Sequence, residues 1–143
     1  MSSGDEAILE VKGLKVGIED TPILKGIDLR IPKGEIHAIM GRNGSGKTTT
    51  ANVIMGHPAY DVEEGEILLD GENLQEMEPW ERSRKGVFLS FQYPQSIPGL
   101  QVGNFLRKSV SSVRGEEAAR GSEFREKLNR AMEELDIPKS FLS

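Results

Sequence analysis

Eight residues, Gly41-Arg42-Asn43-Gly44-Ser45-Gly46-Lys47-Thr48, constrain this chain more than any other segment. They fit G-x-x-x-x-G-K-[ST] at every fixed position, the pattern of a loop that wraps phosphate. The flanks agree. Glu35-Ile36-His37-Ala38-Ile39-Met40 is a short apolar run suited to a buried strand. Thr48 to Met55 has neither Gly nor Pro and can continue as a helix. Strand, glycine loop and helix in that order is the context that gives the match its meaning. A chance glycine turn is the alternative, and ordinary residue frequencies put a random match in a chain this long at on the order of one per cent. A dinucleotide fingerprint is excluded, because Gly44 and Gly46 would need Gly or Ala at position 49, which is Thr49.

The residue types follow from the chemistry. Glycines let the backbone bend around a phosphate with no Cβ in the way. Successive N–H groups then point inward as an anion nest. A helix starting near Gly46 adds its positive end. Lys47 supplies a mobile point charge for the β- and γ-phosphates, and the Thr48 hydroxyl is placed to ligate Mg²⁺.

Composition narrows the partners. The 143 residues suffice for one modest domain with a single core. Eighteen Lys and Arg against 23 Asp and Glu leave a formal net charge of −5. That balance argues against a nucleic-acid partner held by phosphate neutralisation. Between Tyr60 and Glu81 stand nine carboxylates and no Lys or Arg, read as a solvated acidic face. Without cysteine, disulfides and thiolate-held zinc or iron–sulfur clusters are impossible. No apolar stretch approaches a membrane span, and the polar start Met1 to Glu6 is unlike a secretion signal. The expectation is a cytoplasmic protein, with an organelle stroma as the variant if a targeting segment was removed.

Along the chain, Ile8 to Val11 and Leu14 to Ile18 read as two short strands, the second closed by the turn Asp20-Thr21-Pro22. Ile27, Leu29 and Ile31 alternate with polar residues and Pro, as in a half-buried strand. Gly65 to Gly71 reads as another strand ended by a glycine turn. Gly86 to Phe91 is a buried-strand candidate leading into Gln92-Tyr93-Pro94. Pro94 pushes Tyr93 out of the helical region, so an extended loop follows. Val102, Phe105, Leu106, Val110 and Val113 keep helical spacing. Arg114 to Gly121 reads as a polar linker. Phe124, Leu128, Ala131, Met132 and Leu135 stripe a second helix, supported by the pairs Glu123–Lys127 and Glu126–Arg130 and stopped by Pro138. His37 and His57 have no obvious acidic or nucleophilic partner in sequence and are read as structural. Trp80 and Met77 are read as packing residues.

Together these pieces resemble the nucleotide-binding domain of ABC-type ATPases, and within them the SufC branch, the soluble ATPases of the Suf iron–sulfur cluster assembly system. The resemblance rests on Glu35 to Gly41 running into the phosphate loop, on Gly65 to Gly71, and above all on Phe91-Gln92-Tyr93-Pro94-Gln95-Ser96-Ile97-Pro98-Gly99-Leu100. It covers nearly all of the chain from Ile8 onward. It implies an α/β P-loop NTPase core with a flanking antiparallel β-sheet and part of a helical subdomain. Residues 1–92 would form the nucleotide-binding core, and residues 93–143 the start of the helical subdomain, an incomplete domain truncated before the signature motif.

The resemblance also implies ATP and Mg²⁺ as ligands. Gly41, Arg42, Asn43, Gly44, Ser45, Gly46, Lys47, Thr48 and Thr49 would hold the nucleotide. Gln92, at the Q-loop position, joins Thr48 as a metal ligand, which suits a neutral amide oxygen. The general base and signature loop would lie outside the chain, so no catalytic residue is assigned. Implied partners are Suf-type scaffold subunits, docking on the segment Tyr93 to Val113 with Arg107 and Lys108 exposed, and a second ATPase copy in an ATP-driven dimer. No direct membrane insertion is expected. The family commonly stacks an aromatic ring on adenine, but Val16-Gly17-Ile18 offers none. Two rival readings remain: an ATPase subunit of a membrane ABC transporter, and a non-catalytic nucleotide-binding fragment.

Overall fold

The structure, a computed structural model, describes residues 6–19, 21–93 and 96–142. The chain divides into two compact units, Met1–Ser90 and Phe91–Ser143.

The first unit is built on two long strands. β1 (Ala7–Ile18) pairs antiparallel with β2 (Thr21–Pro32) from Ala7↔Pro32 to Ile18↔Thr21. The two short strands expected at its start are therefore one. The register slips between Val11 and Leu14, where Gly13 takes φ +57° and its N–H donates to Asp28 Oδ1 at 2.8 Å. The slip switches the facing parity, so Val11, Leu14 and Val16 all turn inward, each at most 1% exposed. β3 (Asp61–Leu69) pairs with the other edge of β1, and the short β4 (Glu72–Asn73) completes the order β2-β1-β3-β4. Gly65 lies against the bulge. A Cβ there would sit 2.5 Å from the Lys12 carbonyl oxygen and 2.7 Å from the Gly13 carbonyl carbon.

α1 (Lys47–Met55) lays Val53 on this sheet. Val53 joins Val11, Leu14, Val16, Leu24, Ile67 and Leu74 in the core. A single 3₁₀ turn, Leu74–Glu76, leads to α2 (Pro79–Arg84). Glu81 reaches back to cap the Glu78 N–H at 2.9 Å. The acidic stretch is largely exposed as expected but is not purely solvated. Lys15 pairs with Glu64 at 2.6 Å, Lys33 with Asp70 at 3.0 Å and Lys85 with Glu72 at 2.7 Å.

Two sequence expectations fail here. Glu35 to Met40 and Gly86 to Phe91 are not strands but irregular segments. Ile36 is 99% exposed, Met40 90% and Phe88 87%. An apolar run becomes a strand only when another strand accepts from its N–H groups and donates to its C=O groups, and none of the described strands lies beside either run. Trp80 is also not a packing residue. It is 54% exposed and carries the Arg84 guanidinium 4.7 Å above its ring. Met77 does pack on the core.

The second unit holds α3 (Val102–Arg114) and α4 (Gly121–Glu134). The expected linker between them folds into one 3₁₀ turn, Glu117–Ala119, because Ala119 is small and apolar enough to be buried there. Phe124 and Met132 carry the buried side of α4, while Leu135 beyond its end is exposed. Lys127 donates to Glu123 at 2.6 Å, but Arg130 turns to Glu134 rather than Glu126. α3 has no fully buried residue; Val102, Phe105 and Val113 are each more than two-fifths exposed. The α4 helix ends before Pro138, and Lys139–Leu142 form a final 3₁₀ turn. No helix of the described residues is long and apolar enough to cross a membrane.

Candidate nucleotide site

The loop from Gly41 to Gly46 is open to solvent until its last residue, which is buried. Gly44 takes φ +80° and Gly46 φ +90°, values that disfavour any L side chain. Close approach adds a second requirement. A Cβ on Gly41 would fall 2.6 Å from Ser45 Oγ. A Cβ on Gly46 would strike the Leu24 side chain, which comes from β2 and is itself only 3% exposed. The sheet thus pushes directly against the base of the loop.

Lys47 folds back over the loop. Its Nζ donates to the carbonyl oxygens of Gly41 and Arg42, both at 2.8 Å, and reaches Ser45 Oγ at 3.5 Å. Thr50 anchors the first turn of α1 through its backbone N–H and its hydroxyl, both donating to the Gly46 carbonyl at 2.8 and 2.9 Å. Thr49 and Thr50 are buried, whereas Arg42, Asn43, Ser45 and Thr48 are exposed. Beside the loop lies a cavity of about 280 Å³ lined by Ile27, Leu29, Met40, Gly41, Ser45 and Lys47, among others.

The residues suit a bound polyphosphate with its metal. The cradle is kept free of Cβ atoms at Gly41, Gly44 and Gly46. Helix α1 has no acidic residue in its first turn, so nothing on the helix competes with an anion there. Lys47 holds only neutral carbonyl and hydroxyl acceptors, which charged phosphate oxygens outbid. Thr48 sits exposed in the first turn, the position for a hydroxyl ligand to a hard cation.

The other expected site residues are placed as follows. Gln92 belongs to the second unit, in a bend, and is exposed. Tyr93 beside it is 77% exposed, and Pro94 and Gln95 lie outside the described residues. At Val16-Gly17-Ile18, Val16 is buried and Gly17 packs against Glu63 and Thr21, leaving Ile18 as the outward apolar surface. His37 does have an acidic partner: its Nε2 lies 2.9 Å from Glu35 Oε2, since the irregular backbone lets positions two apart meet. His57 accepts from the Ala59 N–H at 3.2 Å and packs edge-on to Tyr60. One residue escaped sequence reading altogether. Arg82, in an acidic neighbourhood, is buried and bonded to the far end of α1. Its only signal in sequence is a basic residue following a run without one.

A glycine loop with positive φ at Gly44 and Gly46, opening a helix that an antiparallel sheet supports, defines a P-loop nucleotide-binding domain. More narrowly, the chain belongs to the ABC transporter family, whose pattern matches residues 24–141. It is 55% identical over 117 residues to the "Probable ATP-dependent transporter ycf16" of Cyanophora paradoxa, covering 82% of this chain and 45% of that protein. It is 49% identical over 109 residues to the "Probable ATP-dependent transporter slr0075" of Synechocystis, covering 76% and 43%. Among solved structures, an ATP-binding subunit of an ABC transporter superimposes with a TM-score of 0.74 at 26% identity, covering 91% of this chain and 51% of that one. The ADP conformation of the cassette MJ1267 does so at 0.71 and 26%, covering 92% and 54%. The fold is therefore that of an ABC ATPase, represented in part: the chain spans about half the length of the curated relatives it matches.

Proposed function

We propose that this chain supplies the Mg-ATP-binding part of a soluble ABC-type ATPase that powers iron–sulfur cluster assembly on a scaffold complex. The observation that carries nucleotide binding is the loop with glycine at 41, 44 and 46 and with Lys47 folded over it at the start of α1. Gly41 to Thr49 hold the phosphates through backbone N–H groups and the helix end. Lys47 exchanges the Gly41 and Arg42 carbonyls for phosphate oxygens and offsets charge as it develops. Thr48 would hold the metal, and Gln92 would be a second ligand, a role that rests only on its resemblance to the Q-loop position. A bound Mg²⁺ would neutralise part of the phosphate charge. We assign no general base to this chain. Hydrolysis, dimerisation on ATP and a cytoplasmic or stromal location are proposals for the whole protein.

The Suf assignment is supported by the sequence from Phe91 to Leu100, with its Gln, Tyr and two prolines. The reading that the protein serves a membrane transporter is favoured by the names of its relatives. Copurification separates the two: soluble scaffold subunits with the first, membranes with the second. Reversal of the exposed charges Arg107 and Lys108 together is expected to weaken scaffold capture and leave ATP binding unchanged. For the nucleotide itself, Lys47→Ala in the natural full-length protein should lower Mg-ATP affinity ten- to a hundredfold, from loss of a contact worth roughly 1.5–3 kcal/mol. Equal affinities by calorimetry would end the phosphate-loop reading.

A further inference from the structure

The phosphate-binding helix is held at its far end by a side chain from a different helix. Arg82 of α2 is 6% exposed. Its Nη1 donates to the carbonyl oxygens of Val53 at 2.8 Å and Ile54 at 3.0 Å, in the last turn of α1. Its Nε donates to the Met77 carbonyl at 2.9 Å, which ties the same guanidinium to the segment before α2. Gly56, the left-handed residue that ends α1, lies directly against it; a Cβ there would sit 2.8 Å from Arg82 Cζ. Burial pushes the guanidinium below its ordinary pKa, with Glu78 working against that, yet arginine keeps its proton at any physiological pH.

The placement answers a deficit in α1. The helix has nine residues, too short to be stable alone, with no acidic residue in its first turn and no basic residue in its last. Its own sequence leaves both ends of its dipole uncompensated. Arg82 brings a full positive charge to the negative end. The positive end faces the Gly41–Gly46 loop.

We infer that Arg82 is a positioning residue for nucleotide binding, holding α1 so that its first turn and the loop before it meet the phosphates in register. The inference rests on the Mg-ATP reading. By linkage, a phosphate bound at one end tightens the carbonyl contacts at the other.

The test uses the natural full-length protein with Mg-ATP, compared as wild type, Arg82→Gln, Arg82→Lys and Lys47→Ala, each at a temperature well below its own unfolding midpoint. Arg82→Gln should weaken ATP binding about three- to tenfold in molecules shown to be folded, and Arg82→Lys, which keeps the charge but gathers its donors on one nitrogen, should recover part of the loss. A lowered midpoint with unchanged ATP affinity makes Arg82 merely structural and overturns the inference. A wild type that binds no better than Lys47→Ala overturns the nucleotide reading instead. Should Arg82→Gln fail to fold, hydrogen exchange of the wild type decides. ATP should slow exchange of the Gly56 and His57 amides, which donate to Val53 and Asn52 at the far end of α1. Exchange there that ATP leaves untouched would also overturn the inference.

Discussion

Two kinds of apolar segment occur in this chain and end differently. The strands β1, β2 and β3 pair along their length and bury Val11, Leu14, Val16, Leu24 and Ile67. The runs Glu35–Met40 and Gly86–Phe91 carry similar residues, pair with nothing among the described strands, and expose Ile36, Met40, Phe88 and Phe91. Composition does not separate them. Partnership does: β2 follows β1 closely in sequence and pairs with it antiparallel, whereas a strand of the buried parallel kind needs neighbours from far along the chain. The phosphate loop stands between the two regimes. Its upstream run pairs with none of the described strands, while its downstream helix is fixed by Leu24, Thr50, Val53 and Arg82.

The contrast can be broken most sharply in the core. Ile67→Ala removes a fully buried side chain and should cost about 2–5 kcal/mol, whereas Ile36→Ser should change stability by no more than about 0.5 kcal/mol. Chemical denaturation of both variants of this chain checks the pair. A large cost at Ile36 would mean that the upstream run is buried after all.

A smaller effect is expected at the bulge. Gly65 has φ +97° and no room for a Cβ beside Lys12 and Gly13. Gly65→Ala should destabilise the β1–β3 pairing by more than about 1 kcal/mol, against a usual gain for glycine replacement at a compatible site. Thermal unfolding would show it. A stabilised variant would mean that the two strands can slip apart without loss.

The smallest effect lies in the second unit, where exposed pairs take the place of a buried sheet. The hydrogen bond from Lys127, and then its charge, holds the Glu123 carboxyl below its ordinary 4.5. A depressed folded-state value contributes stability above the unfolded pKa that is lost as pH falls through the folded one. The loss therefore begins near pH 4.5 and runs below it. It is slight, because the pair is exposed and screened by salt. An NMR titration of Glu123 should show the lowered midpoint, and Lys127→Ala should return it to the ordinary range.

Much of this was legible in local pattern. The phosphate loop, the helix after it, α3 and α4 follow from spacing and from where glycine and proline stand. The strand at Gly65 was read too, though it begins earlier, at Asp61. The two-strand reading of Ile8 to Ile18 failed because alternation breaks at Gly13, and a bulge and a turn interrupt a pattern in the same way. Arg82 was hidden because its partners on α1 are backbone carbonyls 28 and 29 residues away, and carbonyls carry no sequence mark.

What the amino-acid sequence determined by itself is the chemistry of the loop: glycines where positive φ and close approach demand them, a lysine and a threonine at the helix start. These are short-range requirements, met within a few residues. Only the tertiary structure decided which apolar runs became strands, which side chain presses on Gly46, and which cation closes the far end of α1. Those outcomes depend on contacts between segments distant in the chain, and a residue's type does not say which distant neighbour it will meet.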